Sequence, residues 1–136
     1  MSVLTVRTNV SAPLDKVWDA FNKPEHIVNW NFASDDWHCP KSEIDFREGG
    51  QMVTTMAAKD GSFAFDFTAT FDKISPNELV EYTIADGRKV IVTFSEENGI
   101  VTVQEDFEAE SMNPEEMQQA GWQAILDNFK KYAENA

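Results

Sequence analysis

Phe63-Ala64-Phe65-Asp66-Phe67-Thr68-Ala69-Thr70-Phe71 alternates between two kinds of side chain along its whole length. Phe63, Phe65, Phe67, Ala69 and Phe71 share one face, while Asp66, Thr68, Thr70 and Asp72 share the other. A period of two with one apolar and one polar face is the pattern of a strand in an antiparallel sheet, buried on one side and solvated on the other. The same period runs outward from Pro40 to Glu108. Turn signals interrupt it at Gly49-Gly50, Asp60-Gly61, Ser75-Pro76-Asn77, Asp86-Gly87 and Glu97-Asn98-Gly99. Alternating runs between such turns predict a six-strand meander joined by hairpins. Upstream, Leu4, Val6, Thr8 and Val10 predict one more strand, broken by Ser11-Ala12-Pro13, where Pro13 suits a first helical position. Leu14, Val17, Trp18 and Phe21 then form an apolar stripe at helical spacing, and a second short helix is expected from Pro24 to about Trp30. Downstream, Asn113-Pro114-Glu115-Glu116 reads as an N-cap, a first-turn proline and a capping-box acid. The stripe Met117, Gly121, Ile125, Phe129 and Tyr132, widened by Trp122, Leu126 and Ala133, predicts a helix from Pro114 to beyond Tyr132. That helix and the Phe strand are each about 30 Å long. A long helix laid on a curved sheet buries both apolar faces.

Composition narrows the class. The chain has 136 residues, 42% of them hydrophobic, with ten Phe and four Trp. It supports one domain, 1–136, able to bury roughly 68% of its unfolded surface. One cysteine, Cys39, excludes an intramolecular disulfide and suits a reducing cytoplasm. No apolar run approaches the roughly 20 residues of a membrane span, and Met1 to Val10 alternates where a secretory leader would carry an apolar block. Eleven basic against 24 acidic residues give a net charge of −13. That charge repels phosphate backbones and anionic lipid, so nucleic-acid and membrane partners are not expected.

The order strand, two short helices, meander and long C-terminal helix resembles the helix-grip α+β fold of the START, SRPBCC and birch-pollen-allergen-like superfamily. Ser11-Ala12-Pro13 with Val17-Trp18-Asp19-Ala20-Phe21 resembles its opening helix motif, and Asp45-Phe46-Arg47-Glu48-Gly49-Gly50 its Asp-Leu-Arg-x-Gly-Gly hairpin. Gly121-Trp122 followed by Ile125-Leu126-Asp127 resembles its Gly-Trp-x-x-x-Leu signature. Together they are similar to the branch named for activators of heat-shock-protein-90 ATPase. Trp30, Ser34-Asp35-Asp36-Trp37-His38-Cys39-Pro40 and Ala58-Lys59-Asp60-Gly61-Ser62 resemble a bacterial subgroup of it. The resemblance implies a cavity between the last helix and the concave sheet, which in many relatives holds a hydrophobic small molecule.

Candidate chemistry follows from the inward faces. Phe63, Phe65, Phe67, Tyr82, Phe94, Phe107 and Trp122 could fill a core or line a partly open pocket. Gly121 would serve either close packing or open space. Met52 and Met56, sharing a face with Thr54, and Met117 fit an irregular cavity as readily as an irregular core. Glu105 falls on the apolar face of Val101, Val103 and Phe107. A β-bulge turning it outward, or a place near a solvated mouth, is the expectation. If kept inside, its pKa should rise by desolvation, as for a general acid or base, with Arg88 or Lys89 as conceivable partners. His26, His38 and Cys39 do not make a closed ligand set, so no metal and no cofactor is expected. Ser34 with His38 lacks the surroundings of a catalytic nucleophile. The reading is non-catalytic binding of an apolar or aromatic small molecule by Trp30, Trp37, Met52, Phe65, Phe67, Tyr82, Phe94, Glu105, Met117, Gly121, Trp122 and Ile125. A cyclase- or hydrolase-like enzyme using Glu105, and a chaperone-type protein-interaction module, are the alternatives.

Overall fold

The computed structural model describes residues 2–135, so Met1 and Ala136, the ends of the expected 1–136 domain, lie outside the described residues. The chain runs β1 (Val3–Val10), α1 (Leu14–Asn22), α2 (Pro24–Ile27), β2 (Trp37–Ile44), β3 (Gln51–Ala58), β4 (Ala64–Ser75), β5 (Leu79–Ile84), β6 (Lys89–Glu97), β7 (Ile100–Glu108) and α3 (Glu115–Asn135). The strands form one seven-stranded sheet in the order β1-β7-β6-β5-β4-β3-β2, antiparallel throughout. This is the helix-grip α+β architecture: a curled antiparallel sheet against a long C-terminal helix, with two short helices after the first strand.

Local chemistry fixes the hairpins. Asn98 and Gly99, at φ 55° and 78°, both take the left-handed conformation of a tight hairpin and set Glu97 opposite Ile100. At Gly50 the constraint is space: a Cβ there would lie 2.1 Å from the Asp45 carbonyl oxygen.

The boundaries differ from the sequence expectation in informative ways. β4 begins at Ala64, leaving Phe63 outside the strand and 58% exposed. Along the same face, Phe65 is still exposed, whereas Ala69 and Phe71 are buried. The strand enters the core only in its second half. α2 ends at Ile27, and the chain turns on to Trp30, whose indole N–H donates to the Ala20 carbonyl at 2.9 Å. Pro114 lies before α3, its carbonyl accepting the amides of Met117 and Gln118 at 3.1 Å each. The start of α3 is clamped by the Gln118 side chain, which donates to the Glu110 and Asn113 carbonyls and accepts the Glu110 amide. The buried positions of α3 are Gln118, Leu126, Phe129 and Ala133, while Met117, expected on the inner stripe, is 61% exposed.

α3 lies along the free edge of β1. Gln119 donates to the Thr5 carbonyl at 2.8 Å, and Gln123 donates to the Arg7 carbonyl at 3.0 Å and accepts its amide. Lys130 donates to the Asn9 carbonyl, and Glu134 accepts the Ser11 amide, each at 2.8 Å. One end of the space between helix and sheet is filled. Phe21 of α1 meets Trp30, Phe94 and Phe129 at ring separations of 5.3–5.4 Å. Replacing both Gln119 and Gln123 by Ala should remove about 1–3 kcal/mol of stability in urea unfolding, through lost hydrogen bonds to the strand edge. An unchanged midpoint would refute this role.

Candidate functional site

The other end of the helix–sheet space is open. A cavity of about 460 Å³ lies under the N-terminal half of α3, in the size range of small-molecule sites. The helix contributes Met117, Gln118, Gly121, Trp122 and Ile125; the sheet contributes Met52, Thr54 and Met56 from β3, Phe65, Phe67 and Phe71 from β4, Val80 and Tyr82 from β5, and Glu105 from β7. Trp30 and the chain from Asn31 to Ser34, with Trp37 and Ile44 of β2, close the far side.

Two packing features keep it open. A Cβ at Gly121 would meet nothing within 4 Å, so this glycine makes room for a ligand-sized space and does not serve close packing. Trp122 lies flat on Phe107, with ring centroids 3.9 Å apart and planes at 6°, so its indole forms a wall of the cavity. Phe67 meets both Trp122 and Tyr82 edge-on, at 6.5 and 6.2 Å. Trp37, in edge contact with Phe63 and Phe65, forms an aromatic rim.

Glu105 is the polar group that matters most here. Its strand pairs without interruption, Val6 on one side and Val92 on the other, so no bulge turns it outward as expected. Alternation carries it inward, where it is 8% exposed and lines the cavity. Burial pushes its pKa up to about 8. Among the described residues no hydrogen-bond or ion-pair partner reaches its carboxyl, and neither oxygen is sealed from the cavity. Tyr82 faces the same space from the neighbouring inward row, since Tyr82 pairs with Val90 and Val90 with Phe107. Its phenol is held well above the ordinary range, first by burial and then by the Glu105 charge. Its hydroxyl likewise has no protein partner among the described residues.

Neither conceivable cation, Arg88 or Lys89, pairs with Glu105. Arg88 borders the cavity but binds Asp86 at 2.8 Å and donates to the Glu108 carbonyl; Lys89 is exposed. Two other buried polar groups that border the cavity are committed elsewhere: Thr54 shares a hydrogen bond with Ser42 at 3.0 Å, and Asn22 donates to the Trp18 carbonyl.

Of the residues singled out in the sequence, Trp30, Trp37, Met52, Phe65, Phe67 and Tyr82 line this cavity, as do Glu105, Met117, Gly121, Trp122 and Ile125. Phe94 does not: it packs on Trp18 at 5.0 Å and Phe21 at 5.4 Å, in the filled end of the core. The segment Asn31 to Ala33, Ile44 and Gln118 also line the cavity and carry no expectation from the sequence, which singles out Ser34 only for other reasons. The segment is aperiodic, and a register shift between His38 and Lys41 breaks the alternation that would have flagged Ile44. Gln118 could have been found as a polar residue beside the helix stripe. His26 and Cys39 stand apart. His26 shares a hydrogen bond with the Tyr132 hydroxyl at 2.5 Å, and the Cys39 thiol is buried, which pushes its pKa up. The Ser34 hydroxyl donates to Asp36. Among the described residues no cluster of three or more His, Cys, Asp or Glu could hold a metal ion, and no helix is long and apolar enough to cross a membrane.

The family model described as "Activator of Hsp90 ATPase homolog 1-like protein" matches residues 11–134. An AHSA1-like protein from Aeromonas hydrophila, solved by NMR, is 43% identical with a TM-score of 0.93, over 98% of this chain and 93% of that one. A protein from Cytophaga hutchinsonii is 49% identical with a TM-score of 0.83, over 96% of this chain and 91% of that one. A protein from Chromobacterium violaceum, 22% identical over 98% of this chain and 99% of that one, shares the fold with a TM-score of 0.88. No curated protein matches the chain.

The raised pKa of Glu105 makes a prediction about stability. The folded state holds its proton up to about pH 8, while the unfolded chain releases it near 4.5. Between those values the folded state binds the extra proton, so this group's contribution to stability falls as pH rises. Glu105→Gln should therefore be more stable than the native protein, by a margin that grows between pH 5 and pH 8 to about 3–5 kcal/mol. A margin independent of pH, measured by urea unfolding, would refute the inward, desolvated carboxyl.

Proposed function

The chain belongs to the family of activator of Hsp90 ATPase homolog 1-like proteins, within the SRPBCC helix-grip superfamily, and from that premise we propose that it binds a hydrophobic or aromatic small molecule without catalysis. The fold typically binds hydrophobic ligands or interacts with proteins. The observation that carries the small-molecule reading is the cavity itself, ligand-sized, walled by Phe67, Trp122, Trp30 and Met52, with Glu105 and Tyr82 among its unpartnered polar groups. Apolar walls supply affinity at roughly 25 cal/mol per Å² of surface removed from water. A few convergent polar groups set orientation. The binding unit is read as one domain in a cytoplasmic setting, which the single buried thiol of Cys39 suits.

A second reading, a cyclase- or hydrolase-like enzyme with Glu105 as acid or base, has one observation in its favour. Glu105 and Tyr82 face one space, and the Glu105 charge acts on Tyr82. Turnover would need a further group to hold the reacting atoms, and Arg88, the nearest basic candidate on the cavity border, is tied to Asp86.

A flat aromatic alcohol such as 1-naphthalenemethanol, at 100 times its dissociation constant, should stabilise the protein by about 2.7 kcal/mol, raising the melting temperature by roughly 3–6 °C. It should also alter the fluorescence of Trp122. Gly121→Leu should fill the space and abolish both effects while the protein still melts cooperatively, because its side chain starts in open volume. A broad panel of apolar ligands that leaves the native melting temperature unmoved would refute the proposal.

A further inference from the structure

Resting on the cavity-binding reading, we infer the class of its preferred occupant: a flat aromatic molecule bearing a protonated amine, the ammonium held by the Glu105 carboxylate between the ring faces of the cavity. The first support is the carboxyl itself. Glu105 is more than nine-tenths buried, aimed into the cavity and without a partner among the described residues. A buried acid with no donor or cation beside it is costly to ionise, and a ligand that brings the missing cation removes that cost.

The second support is the charge inventory around it. From β1 and β6 its ladder neighbours are Val6 and Val92, neither charged. From β5 it faces Tyr82, whose phenol stays protonated. α3 presents Met117, Gln118, Gly121, Trp122 and Ile125 to the cavity, again without charge. Among the described residues Arg88 is the one cation on the border, and Asp86 holds its guanidinium at 2.8 Å. The described residues supply no counter-ion to Glu105.

Two further features select a cation over a neutral acceptor. Trp122, Phe67 and Tyr82 line the cavity, and an aromatic ring attracts an ammonium that sits over its face within about 6 Å. The net charge of −13 raises the local concentration of cations and lowers that of anions. A ketone could accept a proton from Glu105 in its acid form, but it gains nothing from that field.

The inference fixes a pH dependence. In the empty cavity Glu105 carries its proton up to about pH 8. An alkyl ammonium stays charged across that range, so binding it requires Glu105 to ionise. Affinity for the amine should rise with pH toward 8 and level off above it until the amine itself loses its proton, and affinity for a neutral isostere should stay flat.

The test compares 1-naphthylmethylamine with 1-naphthalenemethanol and 1-acetonaphthone by calorimetric titration of the full chain. The native protein should favour the amine over the alcohol about tenfold or more at pH 8, and its affinity for the amine should rise about tenfold or more from pH 6 to pH 8. Glu105→Gln should lose both effects and still bind the alcohol. The pH series on the native protein stands on its own if that variant does not fold. Equal binding of amine and alcohol, tighter binding of the ketone, or a preference that survives Glu105→Gln would overturn the inference and leave the cavity reading intact. Failure of all three probes to bind would overturn both.

Discussion

The arrangement rests on a ladder of side-chain hydrogen bonds between α3 and the unpaired edge of β1. Gln119, Gln123, Lys130 and Glu134 meet Thr5, Arg7, Asn9 and Ser11 in order, helix and strand running the same way. The spacing works because the two elements advance at compatible rates. Fifteen helical residues rise about 22 Å, and six strand residues extend about 20 Å. Anchored along an edge, the helix cannot sit over the middle of the sheet. The sheet must curl up to meet it, and the volume between them is filled only where α1 reaches in with Val17, Trp18 and Phe21. The cavity is what remains beside α1, whose Phe21 and Asn22 form part of its wall.

What lines that volume reflects a compromise between stability and a site. A carboxyl among aromatic walls destabilises the fold whenever it ionises, and its position on an uninterrupted strand holds it on the concave side, away from the outer surface of the sheet. The chain tolerates this because Glu105 stays neutral at ordinary pH in the empty protein. Gly121 is a parallel case. In mid-helix it forgoes roughly 0.5–1 kcal/mol relative to Ala, with no steric reason to do so. Residues that weaken the fold and gain nothing in packing are the ones that shape the cavity.

Much of this was legible in the sequence because alternation and helical stripes report which face a residue takes. They do not report how far along the element it lies. Phe94 and Glu105 both point to the concave side, on strands that neighbour each other. Phe94 sits at the end that α1 covers, and Glu105 at the end it does not. Phe63 and Met117 mark the same limit, having apolar spacing yet lying where the elements emerge from the fold. The expected bulge at Glu105 rested on its charge alone. β7 is hydrogen-bonded on both sides, so a bulge there would disrupt two ladders, and that cost depends on a neighbour the local sequence does not show. The segment from Asn31 to Ser34 had no period to read.

The pairing of β1 with β7 also orders events in time. Val3 to Val10 find their partners at Val101 to Glu108 and then in α3, almost the full length of the chain away. From β2 to β7 each strand can add to the last through a short hairpin as soon as it is made. β1 has no strand neighbour until β7 is made. Long-range closure of this kind is slow. During synthesis the nascent chain therefore carries the apolar β1 strand with open edges until β7 is made, which makes Leu4, Val6 and Val10 the segment in most need of protection over that interval.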